Sequence, residues 1–276
     1  MERSARLYNA ARIQIAFDPH RNAGFLDSFA NSSNPCGIFI NIIFYLPLTI
    51  FLMRTPFTGH TRSGSPNKTR TTLVQSLRVL IDVRHNRSII GMLLLAALAS
   101  ITIGAVLQTA MPVFGGLLTG PGGDSDFTYG LLLFALGAGG VLGGFFLEAT
   151  GWVRPTPAAA AVAAAGLGAS SIVFALASHL WLALTVLVLA GVCKITAEST
   201  EMAIIQLEAP PEIRGRVIGS YSMFGPGMQT FSGVTVGVLG TIATIPQAVT
   251  IGGAVLAIGA VGIGAYAVTG RGRPVG

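Results

Sequence analysis

An apolar run near residue 200 carries three ionisable side chains at helical spacing. The segment AGVCKITAESTEMAIIQLEAP places Lys194, Glu198 and Glu201 at positions i, i+4 and i+7, which puts them on one face of an α-helix. Ionisable groups inside a long apolar helix are costly, and they commonly mark a solute pathway. The spacing predicts a face that either lines a polar cavity or forms a structural ion pair. Glu198 is the nearest partner for Lys194 in the sequence.

Two glutamines are weaker candidates for the same pathway. Gln108 and Gln229 each lie inside a different apolar run, where an amide either faces a solute or bonds the backbone of a neighbouring helix. Motifs of the HExxH, GxSxG and P-loop types do not occur in the sequence, and those motifs carry the common hydrolytic and nucleotide chemistries. Cys36 and Cys193 are isolated and have no metal-binding spacing. We therefore predict no catalytic site, no metal and no cofactor, and an integral-membrane enzyme is the weakest alternative.

The composition indicates a membrane protein. Hydrophobic residues make up 51% of the 276 residues and charged residues only 10%, against about 25% charged residues in soluble domains. The mean hydropathy is +0.68. The formal charge of +6 is distributed over loops, so it indicates the orientation of the chain in a bilayer and not a nucleic-acid surface.

Seven apolar runs approach or exceed the length of about 20 residues that crosses a bilayer as a helix. They are continuous rather than alternating, which favours helices over strands. The runs are Gly37–Met53, Ser88–Phe114, Phe127–Ala149, Pro157–Ala177, Leu180–Leu207, Val217–Ala243 and Pro246–Val268. We predict an all-α polytopic membrane protein of about seven transmembrane helices.

The polar segments complete this organisation. Residues 1–35 are polar and arginine-rich, and residues 36–53 contain the first helix. Residues 54–87 form a basic linker, residues 88–270 a bundle of six helices, and residues 271–276 a short tail. Within the linker, apolar residues recur at helical spacing, and they are Leu73, Val74, Leu77, Leu80 and Ile81. This spacing predicts an amphipathic helix along the membrane surface, and the alternative is a helix that is merely solvated.

Basic residues fall on alternate loops, which predicts the sides of the membrane. The linker is strongly basic, whereas the next loop, TGPGGDSD, contains only acidic charges. Later basic loops alternate with loops that lack lysine and arginine; the basic residues are Arg154, Arg214, Arg216, Arg271 and Arg273. Because basic loops remain inside the cell, we expect the linker and the C-terminus to be cytoplasmic in a multi-pass protein of the cell membrane.

Glycine spacing predicts close contacts between helices. Pairs of glycines four residues apart allow two helix backbones to approach each other, and here they are Gly139 with Gly143, Gly140 with Gly144, and Gly233 with Gly237. Pro112 and Pro226 are expected to kink their helices. These glycines and prolines have two possible roles. They either serve only tight packing of the helices, or they bend helices beside a substrate path.

The segment APPEIRGRVIGSYSMF, with Gln206 just before it, resembles a cytoplasmic loop of the major facilitator superfamily. Together with the six spans after a basic linker, it resembles the C-terminal half of such a transporter. More narrowly, it is similar to the group of enterobactin-exporter-like and multidrug exporters, the transmembrane secretion effectors. The segment CGIFINIIFYLPLTIFLMRTP, which contains Asn41, resembles the sixth helix of that group. The resemblance covers about residue 35 to the end.

This resemblance implies export of amphipathic small molecules by alternating access, driven by a proton gradient. It implies that Lys194, Glu198 and Glu201 line the inner cavity. Arg214, Gly215 and Arg216 would help to close a cytoplasmic gate.

The spans correspond to helices six to twelve of that family, and residues 1–35 are interpreted as a degenerate remnant of helices four and five. A separate N-terminal half, or self-association within the bilayer, is therefore an expected partner. The main alternative is a non-transporting protein, either a truncated remnant or a subunit that associates with other membrane proteins.

Overall fold

The chain divides into two units, Met1–Thr69 and Arg70–Gly276. The computed structural model describes residues 46–47, 49–51, 53–54, 83, 86–104, 106–120, 122–150, 154–229 and 244–269, apart from the side chains of residues 108, 150 and 226. In the first unit, residues 46–47, 49–51 and 53–54 are helical and exposed. Residues 46–53 fall within the first predicted span, Gly37–Met53.

The described residues of the second unit form a series of helices. The α-helices are α1 (Arg87–Ala99), α2 (Val106–Leu118), α3 (Ser125–Thr150), α4 (Pro157–Ala175), α5 (Leu180–Glu208), α6 (Arg214–Ser222) and α7 (Ile245–Thr269). Two short π-helical segments follow α1 and α6, and they are Ser100–Gly104 and Met223–Gly227.

Five helical stretches among the described residues are long and apolar enough to cross a membrane. They are Arg87–Gly104, Ser125–Ala149, Pro157–Ala175, Leu180–Glu208 and Ile245–Thr269. The prediction of an all-α polytopic membrane protein is confirmed. The predicted span Val217–Ala243 is described only as far as residue 229, where α6 and its π-helical segment form its first part.

Several predictions concern residues outside the described ranges. They are the degenerate segment 1–35, the amphipathic helix of the linker, the Gly233–Gly237 pair and the tail 271–276. The side chain of Gln108 also lies outside them, although its backbone belongs to α2.

The second predicted span is interrupted, although the sequence favoured one continuous helix over Ser88–Phe114. The π-helical segment Ser100–Gly104 separates α1 from α2. Its Thr102 donates a side-chain hydrogen bond to the Leu98 carbonyl at 2.7 Å, a bond of a type that bends helices. Pro112 lies inside α2, which continues to Leu118, whereas Pro226 falls in the second π-helical segment. Proline cannot donate the backbone bond of a regular helix, which favours an irregular turn there.

Polar side chains fix the starts of two of the buried helices. The Asn86 side chain accepts hydrogen bonds from the backbone of Ser88 and Ile89 at 3.0 and 3.2 Å, which caps α1. Thr156 accepts from Ala159 at 3.2 Å and caps α4, whose first residue is a proline. These bonds satisfy backbone donors that have no partner within the helix.

The core is built around α4, which packs along both α5 and α7. Many of its buried positions are alanine, as at Ala160 and Ala164, so neighbouring helices can lie close. Near its end, the buried Phe174 ring packs against Phe114 of α2, with 4.5 Å between the ring centroids. The core thus holds α5, which carries the ionisable side chains, against the other helices.

Glycines bring α3 into direct backbone contact with α5. A Cβ atom at Gly139 would collide with the Val188 carbonyl oxygen, and one at Gly143 would lie 2.8 Å from the Val192 Cα. From the other side, a Cβ at Gly191 would collide with the Leu136 carbonyl oxygen. These three positions therefore require glycine for the observed separation of the helices.

The second predicted glycine pair faces a side chain instead of a backbone. A Cβ at Gly140 would lie 3.3 Å from the Ile195 side chain, and one at Gly144 would lie 3.8 Å from it. The Gly139–Gly143 pair therefore sets the distance between α3 and α5, and the Gly140–Gly144 pair lies beside a side chain that can adjust.

We predict that Gly139→Ala destabilises the protein by about 1–3 kcal/mol, the usual cost of overpacking a close contact. The added methyl group meets the backbone of α5, which cannot rotate away as a side chain could. Thermal unfolding of the purified protein in detergent measures the effect.

Gly137→Ala is the matched control, because a Cβ at Gly137 of the same helix would meet no atom within 4 Å. Alanine favours a helix over glycine by up to about 1 kcal/mol, so this variant should be neutral or slightly more stable. Equal losses in both variants would show that backbone contact with α5 is not what requires glycine at residue 139.

Candidate functional site

The charged face predicted on α5 contains a direct ion pair. The Lys194 Nζ atom donates to Glu198 Oε1 at 2.7 Å, one helical turn along. The Lys194 side chain is 34% exposed and the Glu198 side chain 49% exposed. The pair forms because residues four apart lie above one another on a helix. Its two charges compensate each other while both side chains remain accessible.

Glu201 lies on the same face but is almost completely buried, with 2% of its surface exposed. The Tyr221 hydroxyl of α6 donates a hydrogen bond to Glu201 Oε2 at 3.0 Å. This bond joins α5 to α6 across 20 residues of sequence. A buried carboxyl needs such a donor, because a polar group removed from water without a hydrogen bond costs several kcal/mol, of the order of 2–7.

These three side chains border one cavity of about 580 Å³. Its wall combines small and apolar residues with polar ones, and residues of every helix from α1 to α6 contribute to it. The apolar and small lining residues are Ala96, Ala99, Ile103, Gly104, Leu107, Leu136, Ala164, Leu167, Ala197, Met202, Ala203 and Gly225. The polar ones are Ser100, Lys194, Glu198, Ser199, Glu201, Gln206, Tyr221 and Gln229.

Both π-helical segments contribute to this wall. Ser100, Ile103 and Gly104 come from the first segment, and Gly225 comes from the second. A Cβ at Gly104 would lie 3.0 Å from the Gln229 Cγ, so the glycine makes room for the glutamine side chain. Irregular helical turns are frequent at functional sites because they turn backbone and side chains toward a cavity.

The structure brings four of the five predicted pathway residues together. Lys194, Glu198, Glu201 and Gln229 all border the cavity. The side chain of the fifth, Gln108, lies outside the described residues.

The predicted gate residues Arg214, Gly215 and Arg216 form the exposed first turn of α6 and are not among the described residues that line the cavity. The Arg214 Nε donates to the Ala209 carbonyl at 3.4 Å, which ties this turn to the end of α5.

Sequence reasoning missed Tyr221 and Gln206 as members of the site. Gln206 follows Glu201 by five residues, which turns it about 140° away around the helix, so its position relative to the charged face gave no signal. Tyr221 gave none either, because its role depends on how α6 packs against α5. Among the described residues, no group of three or more His, Cys, Asp or Glu side chains could hold a metal ion.

We predict that Tyr221→Phe destabilises the protein by about 1–3 kcal/mol, because it leaves the buried Glu201 carboxyl without its donor. In Glu201→Leu, no buried carboxyl is left to need the Tyr221 donor, so Tyr221→Phe should cost less in that background and the two substitutions should not be additive. A double-mutant cycle from thermal unfolding in detergent measures the coupling.

Tyr266→Phe is the control for loss of a tyrosine hydroxyl. Tyr266 is exposed, and its ring lies 5.5 Å from the Arg87 guanidinium, a contact that phenylalanine keeps. We expect a change within about 0.5 kcal/mol, as for most surface substitutions. Additive effects of Tyr221→Phe and Glu201→Leu would contradict an energetic link between the two groups.

The chain matches the family model described as transmembrane secretion effector over residues 34–269. No curated protein and no solved structure matches it.

Proposed function

The chain belongs to the transmembrane secretion effector family of the major facilitator superfamily, and on this premise we propose that it exports amphipathic small molecules from the cell. The proposed substrates are drugs or siderophore-like compounds, carried by alternating access to a site between groups of helices. The proposed location is the cell membrane, with the linker and the C-terminus on the cytoplasmic side.

The cavity beside α5 is the observation that carries this proposal. Its volume of about 580 Å³ falls within the range of roughly 300–1,000 Å³ that is usual for small-molecule sites. Its wall is mainly apolar, with a few polar groups gathered on α5. A wall of this kind suits a solute that has both an apolar body and a polar group.

Arg214, Gly215 and Arg216 are proposed to form part of a cytoplasmic gate. They begin α6 immediately after the turn that follows α5, and both arginines are exposed. The Tyr221 hydroxyl of α6 donates a hydrogen bond to Glu201 of α5. A movement at the start of α6 would therefore also displace residues that line the cavity. This mechanical link supports a gate at that end of the helix.

The exposure of the ion pair supports a partner in the bilayer. Glu198 is 49% exposed on a helix apolar enough to span a membrane, and a charge facing lipid is costly. We propose that further helices cover this side of the cavity, supplied by a separate N-terminal half or by a second copy. The same observation favours our second candidate function, a subunit that associates with other membrane proteins without transporting anything itself.

We predict that Lys194→Ala and Glu198→Gln each slow efflux about tenfold, because each leaves the other charge of the pair without its partner. The test uses cells that lack their own exporters, express the full chain and are loaded with amphipathic dyes of either charge. The double variant should lose little more than either single one, since paired groups act as a unit.

Asp126→Asn is the control, because Asp126 is an exposed acid in the first turn of α3 and does not line the cavity. It should leave the efflux rate unchanged at equal expression. Efflux that is undiminished in both Lys194→Ala and Glu198→Gln would contradict the proposed pathway. Failure of the native chain to move any dye would favour the associating subunit.

A further inference from the structure

Two residues of the cavity wall meet where the two π-helical segments come together. Gly104 is the last residue of the first segment, and Gln229 lies two residues beyond the second. A Cβ atom at Gly104 would lie 3.0 Å from the Gln229 Cγ and 3.2 Å from its Nε2. These distances are shorter than ordinary van der Waals contact. The Gln229 side chain therefore occupies space that a glycine at residue 104 leaves free.

We propose that Gly104 and Gln229 together set the upper limit on the size of the ligand that the cavity admits, which makes Gln229 a specificity-determining residue. This inference rests on the proposed function and concerns the same site. Both residues border the cavity, and Gln229 is half-buried. Its side chain is therefore a part of the wall whose position depends on the residue at 104.

The backbone around Gly104 has little room to move. Thr102 of the same segment lies against α7, where a Cβ at Gly252 would lie only 2.7 Å from the Thr102 carbonyl oxygen. The neighbouring Ile103 is buried. Because closely packed backbone resists displacement, a larger residue at 104 has to be accommodated by the side chain that faces it.

The Gln229 side chain is long and unbranched, so it is the part that can yield. A methyl group at residue 104 would turn it away from Gly104, either within its rotamer or into another staggered one. The open space beside both residues is the cavity. A displaced amide therefore enters the cavity and reduces the space for a ligand, whereas a smaller side chain at residue 229 enlarges that space.

The rest of the wall near this contact does not compensate for such a change. Ile103, Leu107 and Leu167 border the same cavity and are themselves buried, so they are held by their neighbours. A close-packed wall expands little, and overfilling it is unfavourable. A large ligand should therefore respond to the position of the Gln229 side chain, and a small one should not.

Dansylamides with N-methyl, N-adamantyl and N-trityl groups provide uncharged amphipathic ligands that differ in size. Binding is measured by dansyl fluorescence with the purified full chain in lipid nanodiscs, after subtraction of binding to empty nanodiscs. The variants are Gly104→Ala, Gln229→Ala, the double variant and Gln229→Met. Monodispersity and thermal unfolding confirm that each variant is folded.

Gly116→Ala is the matched control for the added methyl group. A Cβ at Gly116 would meet no atom within 4 Å, and Gly116 is not among the described residues that line the cavity. This variant should bind every dansylamide as the native chain does.

We compare affinities for the limiting ligand, the largest dansylamide that the native chain binds saturably. Gly104→Ala should bind it about tenfold more weakly and bind the N-methyl compound within about twofold of the native affinity. Gln229→Ala should bind it at least as tightly as the native chain. The double variant should recover the native affinity, because the added methyl group then has no long side chain to displace. Gln229→Met keeps the length of the side chain and should stay within about threefold.

Three results would overturn the inference: no saturable binding of any dansylamide to the native chain, an affinity in Gly104→Ala that is unchanged or equally reduced for small and large ligands, or a loss in Gly104→Ala that Gln229→Ala does not relieve. Dye transport by the full chain in cells separates this inference from the proposed function. Size-dependent binding without transport of any dye would leave the size limit standing and refute export. Transport with dansylamide affinities that are equal in all variants would do the reverse.

Discussion

A charged helix face in a membrane has to be kept away from lipid hydrocarbon, and the arrangement around α5 follows from that constraint. Lys194 and Glu198 neutralise each other's charge in an ion pair of 2.7 Å. Glu201 is buried where α5 meets α6, and the Tyr221 hydroxyl donates a hydrogen bond to it there. The cavity gives these groups a polar volume among the helices. The neighbouring helices therefore have to leave this volume open and also keep lipid out of it.

Small residues meet this requirement by allowing close contacts between α5 and its neighbouring helices. Gly139 and Gly143 of α3 approach the backbone of α5, as Gly191 of α5 approaches that of α3. Alanines on α4 pack into the core beside α5 and α7. Tight contact there fixes the orientation of α5, because helices in lipid associate through packing rather than through the hydrophobic effect. The charged face then points toward the cavity.

The helices could be predicted because bilayer thickness sets the length of a spanning segment, and long apolar runs such as those of α4, α5 and α7 are unambiguous. The interruption at Ser100–Gly104 could not be predicted. A π-helical turn depends on which neighbours surround it, and the segment SITIG contains no proline or charge that would mark an interruption. The two glycine pairs of α3 looked alike in sequence, yet a backbone faces one pair and a side chain faces the other.

The sequence alone determined that Lys194, Glu198 and Glu201 share one face, since helical periodicity is a local property of the chain. It also determined the family and the alternation of basic loops. Only the tertiary structure decided that Glu201 is buried while Glu198 is exposed, that Tyr221 is the partner of Glu201, and that Gln229 joins the same cavity. Burial and partnership between helices depend on the contact of α5 with α6 and on the other segments that border the same cavity, and these bring together residues far apart in the sequence.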